Sequence, residues 1–63
     1  MWELFDVNVN GSYQKMWLNM ALMVSFRYDK EDNETIVSFG TVNNIFRIRG
    51  DATEKIISGG KNE

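Results

Sequence analysis

Four carboxylates fall within the six residues Asp29-Lys30-Glu31-Asp32-Asn33-Glu34, a spacing that invites two kinds of chemistry. Paired carboxylates can divide acid and base roles, but only where their surroundings push their pKa values apart. On a short polar segment they are hydrated alike. As a calcium loop, Asp29, Glu31 and Asn33 have the first oxygen spacings, yet the sixth position, where glycine makes the sharp turn, holds Glu34. The twelfth, which calls for a bidentate glutamate, holds Gly40. The run is therefore read as a solvated turn. Nucleophilic catalysis lacks an activator: Ser12, Ser25, Ser38 and Ser58 are present, but histidine and cysteine are absent. Gly59-Gly60 follows a helical pattern, whereas a phosphate-binding glycine turn precedes its helix. These features point to a protein that is not an enzyme and has no catalytic, metal-binding or cofactor-binding residues.

Binding chemistry is better represented. In Ile45-Phe46-Arg47-Ile48-Arg49 the two arginines lie two apart, which on a strand sets them on one face. The strand registers derived below add Trp2, Leu4, Tyr13, Lys15, Trp17, Met23, Arg27 and Ile36 to that face. Aromatics mixed with cations suit a stacking platform for unpaired bases whose phosphates meet arginine. They also suit a protein-binding face anchored by tryptophan and tyrosine. Nine acidic residues against seven basic ones, for a net charge of −2, favour the protein partner. The partner-binding set is accordingly Trp2, Leu4, Tyr13, Trp17, Met23, Arg27, Arg47 and Arg49. The leading expectation is a small binding module that regulates or inhibits another protein. A single-stranded RNA binder is the alternative.

The segment SFGTVNNIFRIRGDA resembles a strand segment of the trp RNA-binding attenuation proteins through Arg47, Ile48, Arg49, Gly50 and Asp51. That likeness would give Arg47 and Arg49 RNA-contacting roles. Asn43-Asn44 stands where the family has the Thr-Ser step that binds tryptophan, and the first half of the chain shows no match. The resemblance is not adopted as an assignment.

These residues must be positioned by a single domain spanning 1–63, because a monomer of 63 residues buries only about 60% of its unfolded surface. No disulfide or zinc constellation can reinforce it. The acidic N-terminal stretch MWELFDV does not resemble a secretory signal, and no apolar run approaches the ~18 residues that span a bilayer. A soluble, cytoplasmic protein with no membrane contact is expected.

Asn10-Gly11 is the strongest local signal, since a two-residue hairpin turn needs positive φ at both positions. It predicts a strand over about 2–9 that pairs Val9 with Ser12, Asp6 with Lys15 and Leu4 with Trp17. From Met16 to Tyr28 the even positions are apolar, which is a period of two and predicts a strand over about 12–29. Met, Leu, Ala, Gln and Lys at 13–23 also suit a helix capped by Ser12, but the period favours the strand. Such a strand would be some 45 Å long at about 3.3 Å per residue, so it must bend.

The polar turn pairs Asp29 with Glu34 and Phe26 with Val37, opening a strand over about 34–42. Asn43-Asn44 then leads to a strand over about 45–49, with Val42 opposite Ile45 and Phe39 opposite Ile48. Together these turns set Phe5, Val7, Val9, Leu18, Val24, Phe26, Val37, Phe39, Phe46 and Ile48 on one face. Asp51, Glu54 and Gly59-Gly60 supply start and stop signals for a helix over about 52–58, docked through Ala52, Ile56 and Ile57. The fold class is mainly β: a four-stranded antiparallel meander or small curled barrel with a short C-terminal helix. One side of MWLNMALMV serves as core. The other, including its adaptable methionines, is surplus apolar surface that predicts a homo-oligomer.

Overall fold

The computed structural model describes residues 1–40 and 44–61. The chain is mainly β, with a C-terminal helix beside a five-stranded antiparallel sheet that is not closed into a barrel. Strands β1 (Trp2–Val9) and β2 (Ser12–Asn19) form the expected hairpin, with Val9 opposite Ser12 and Leu4 opposite Trp17. The turn is built as its residues require: φ is +53° at Asn10 and +94° at Gly11. The Asn8 side chain accepts the Gly11 N–H at 2.9 Å, and Lys15 pairs with Asp6 at 2.9 Å.

The expected long second strand is two strands. The chain leaves β2 at Asn19, makes a 3-10 turn over Met20–Leu22, and resumes as β3 (Ser25–Asp29). Asn19 sets the break, because its side-chain oxygen accepts the Ala21 N–H at 3.1 Å. The good helix formers that follow then favour a turn over an extended chain. Val24, expected in the core, is 70% exposed in this connection.

β3 pairs with β4 (Glu34–Ser38) through the expected register, Asp29 opposite Glu34 and Phe26 opposite Val37. The next register differs. β5 (Ile45–Arg49) sets Ile48 opposite Thr35 and Phe46 opposite Val37, a four-residue shift from the expected pairing of Phe39 with Ile48. β4 ends at Ser38 and not near 42, and the Phe39 N–H donates to the Asn44 carbonyl at 2.9 Å. The tight turn expected after Val42 involves Val42 and Asn43, which lie outside the described residues. An even shift keeps each side chain on its face, so Val37, Phe39, Phe46 and Ile48 stay on the core side. The observed register has a physical advantage in Thr35, which is fully buried. Its hydroxyl donates to the Gly50 carbonyl and accepts the Ala52 N–H, both at 2.8 Å.

The strand order is β2-β1-β5-β4-β3, so the break after Asn19 carries the chain from one edge of the sheet to the other. A flat sheet would set those edges about 19 Å apart, at about 4.8 Å per spacing. The six steps from Asn19 to Ser25 include a 3-10 turn and reach only about 16 Å. The sheet must therefore curl. Its concave side holds Phe5, Val7, Leu18, Val37 and Ile48, with Val9, Met16, Met20, Met23, Phe26, Phe39 and Phe46 packed against them.

Helix α1 (Thr53–Lys61) closes this core with Ala52, just before it, and Ile56, which are four apart and share a face. Ile57 is turned away from that face and is largely exposed. The Thr53 N–H donates to Asp51 Oδ1 at 3.0 Å, so Asp51 does mark the start. The helix passes through Gly59-Gly60, because glycine ends a helix only where it takes the left-handed conformation. Among the described residues no helix is long and apolar enough to cross a membrane.

Candidate binding surface

The convex face carries side chains of alternate strand residues, and the registers arrange them in rows. One row runs Tyr13, Asn8, Arg47, Ile36, Arg27 across the five strands when the Val7–Ile48 pairing is continued by one residue. The next runs Lys15, Asp6, Arg49, Glu34, Asp29. Of the expected partner-binding residues, Leu4, Tyr13, Trp17, Arg27, Arg47 and Arg49 share this face, with Trp2 at its end. Met23 does not. The break in the long strand removes it from the alternation, and it packs against the core beside Met20.

Glu34, expected in a hydrated turn, is the centre of the network on this face and only 5% exposed. Tyr13 donates its hydroxyl to Glu34 Oε2 at 2.6 Å and Asn8 donates its amide at 2.9 Å. Arg47 Nη1 lies 3.2 Å from Oε1. The Tyr13 and Asn8 bonds, aided by Arg47, outweigh desolvation and hold the Glu34 carboxyl below its ordinary range. Glu34 in turn pushes the Tyr13 hydroxyl up and the Arg47 guanidinium further up. Arg47 is also 3.5 Å from both Asp29 and Asp32. Partial burial raises the Asp29 pKa, but backbone N–H groups of the turn and Arg47 reverse this and hold it low.

Arg49 lies over the Tyr13 ring, 5.3 Å from its centre. The arginines thus belong to a charge-balanced network in which Arg47 is committed to three carboxylates. Among the described residues no buried side-chain nitrogen or oxygen lacks a partner, and no three His, Cys, Asp or Glu gather as metal ligands would. The role of Glu34 was hard to see in the sequence, because no turn signal says that β1 lies beside β5.

Apolar residues collect elsewhere, at the seam the curled sheet leaves open. A cleft of about 390 Å³ is lined by Trp2, Trp17, Leu18, Leu22, Phe39 and Phe46, between the end of β2 and the β4–β5 connection. Phe39 and Phe46 meet edge to face there, 5.7 Å between centres. Trp2 and Trp17 are each 61% exposed and Leu22 63%. Trp2 and Trp17 were legible as exposed aromatics; Leu22 was hidden by the assumption of an unbroken strand. Comparison of the chain with protein-family models, curated proteins and solved structures finds no match.

Proposed function

We propose that the chain is a non-catalytic binding module, a homo-oligomeric regulator or inhibitor that acts on another protein. It takes an apolar or aromatic side chain of that protein into the cleft beside Trp2 and Trp17. The observation that carries this reading is two tryptophans, each 61% exposed, standing at a cleft with Phe39 and Phe46 in its lining. Exposed aromatics gathered around a concavity, and not scattered singly, are what interface anchors look like before a partner arrives. The polar convex face supports a different job. With Arg47 held by three carboxylates and Lys15 paired to Asp6, this face leaves only Arg27 and Arg49 outside ion pairs among the described residues. That is a small free positive charge for a phosphate backbone, which weighs against the RNA-binding alternative.

The test compares the wild-type chain with Trp17→Ala as bait in host extract with and without nuclease treatment, followed by titration of each purified partner against tryptophan fluorescence. A partner that binds the wild type and loses at least about tenfold in affinity with Trp17→Ala supports the reading, since truncated anchors cost about 2 kcal/mol or more. A partner lost on nuclease treatment, or one indifferent to Trp17, overturns it.

A further inference from the structure

We propose that the free edge of β2 pairs antiparallel with the same edge of a second copy, in the register that sets Met16 opposite Met16 and Lys15 opposite Trp17. The inference rests on the self-association part of the proposed function and names its surface. In a two-residue hairpin the closing pair, here Val9 and Ser12, exchanges both hydrogen bonds, and the bonding then alternates along the strand. Ser12, Gln14, Met16 and Leu18 therefore turn their backbone groups to β1. Tyr13, Lys15 and Trp17 turn theirs outward, and among the described residues these groups meet no other strand or loop.

An edge of this kind is a template for another strand, and natural sheets blunt theirs with brevity, charge, proline or bulges. β2 has eight residues, no proline and one lysine. What selects a second copy is complementarity. A two-fold axis through Lys15 would oppose two like charges directly. An axis through Gln14 would set Trp17 against Gly11 of the turn. An axis through Met16 keeps all paired residues, 13 to 19, within β2 and places the Lys15 ammonium of each copy beside the exposed Trp17 ring of the other, a cation–π pair made twice. It also joins the two convex faces into one, because directly opposed residues share a side.

The chain has no cysteine, so single cysteines report the register cleanly. Met16→Cys brings two thiols together at the axis, in reach of a disulfide. Gln14→Cys leaves its thiols about 13 Å apart along the strands and gives none. Because Met16 packs on the core, an equimolar mixture of Lys15→Cys and Trp17→Cys provides a second reading from exposed positions. It cross-links between the two variants while the other Lys15–Trp17 contact stays native.

Sedimentation equilibrium of Trp17→Lys, which opposes lysine to lysine twice, should show the dimer weakened at least about tenfold with the circular dichroism of the fold retained. A wild-type chain that remains monomeric at several hundred micromolar overturns the proposal. So does cross-linking through Gln14→Cys in place of Met16→Cys, or a Trp17→Lys chain that dimerises as the wild type does. None of these readouts involves a foreign partner. A monomer that still binds another protein through Trp17 would remove the dimer and leave the binding reading standing.

Discussion

The two edges of the curled sheet are built differently. β3 has five residues, presents Arg27 and Asp29 on its convex side, and runs into a turn held by Tyr28, which donates its hydroxyl to Asn33 at 2.6 Å. β2 has eight residues, and its convex side carries Tyr13, Lys15 and Trp17, with Trp17 largely exposed. Short, charged and latched edges resist added strands; long aromatic ones invite them. The contrast extends inward. The β4 neighbour of β3 contains Thr35 and Glu34, whose hydrogen bonds reach β5, the helix entry and the β1–β2 hairpin. β2 has β1 as its one strand neighbour and reaches the rest of the sheet through side chains, Leu18 in the core and the Tyr13 hydroxyl on Glu34. Buried polar bonding is concentrated around Glu34 and Thr35 of β4, and exposed aromatic surface on the β2 side.

The largest expected break in this contrast comes from Thr35→Val, which keeps the shape and removes the hydroxyl. The buried Ala52 N–H then loses its partner, at about 1–3 kcal/mol, and the part-buried Gly50 carbonyl loses its own at a smaller cost. A chain of 63 residues has only roughly 3–9 kcal/mol in hand at ~0.05–0.15 kcal/mol per residue, so much of its stability goes. Thermal unfolding should shift down by at least about 10 °C, given about 4–8 °C per kcal/mol in domains of this size. Trp17→Ala, on the open edge, should move the folding midpoint far less, because surface substitutions stay within about 0.5 kcal/mol. Equal shifts for the two variants would dissolve the contrast.

Next in size is the acid response of the covered side. The pKa of Glu34 is lowered in the folded state, first by the Tyr13 and Asn8 hydrogen bonds. A lowered folded pKa contributes stability that is present above the unfolded value, 4.5, and is lost as pH falls through the folded one. Asp29 and Asp6, lowered from 3.8, act in the same direction. Tyr13, raised from 10.0, loses its contribution as pH rises through its folded value. Urea midpoints should accordingly be flat near neutrality, fall below about pH 4.5 and fall again in strong alkali. Glu34→Gln should lower the neutral plateau and make the acid limb shallower. An acid limb of unchanged slope would mean that Glu34 is not the group that titrates.

Arg47→Ser should destabilise more than Arg49→Ser. Arg47 touches Glu34, Asp29 and Asp32, whereas Arg49 keeps only the Tyr13 ring and its carboxylate neighbours across the strands. The same pair of variants examines the nucleic-acid reading. Binding of single-stranded oligonucleotides should be undetectable at physiological salt. Submicromolar affinity falling with a salt slope of about −0.7 per neutralised phosphate, and flattened by Arg49→Ser, would instead promote it.

The parts of this fold that were legible in the sequence are those set by local chemistry. Asn10-Gly11 dictated a hairpin register correct at every pair, and the polar turn before Glu34 dictated the next. Where local chemistry is permissive, tertiary contacts decided. The methionine-rich run could extend or turn; the Asn19 side chain on the Ala21 N–H starts the turn, and the crossing to the far edge of the sheet keeps the chain from resuming beside β1. The β4–β5 register was settled by the buried Thr35 hydroxyl, a contact with no local signature. The candidate surface was half legible for the same reason: Trp2 and Trp17 follow from the first hairpin, whereas the cleft exists only because the end of that hairpin lies beside Phe39 and Phe46.

The smallest effect on folding, and the sharpest on the open edge, belongs to Lys15. Its ion pair with Asp6 is solvent-exposed, and exposed pairs contribute little and are screened by salt. Asp6 would also keep Arg49 as a neighbour, so Lys15→Gln should leave thermal unfolding almost unchanged at ordinary ionic strength. Its effect on association depends on what the lysine does. If Lys15 only guards the edge, removing it exposes a longer neutral strand and self-association rises. If Lys15 lies against the partner's Trp17, two cation–π contacts of about 0.5–1 kcal/mol each disappear and the dimer weakens roughly 5- to 30-fold. The second outcome is expected, because the register about Met16 leaves the ammonium no carboxylate to meet across the edge and offers it the exposed indole. Sedimentation of Lys15→Gln beside the wild type therefore distinguishes a guarded edge from a paired one by the sign of a single change.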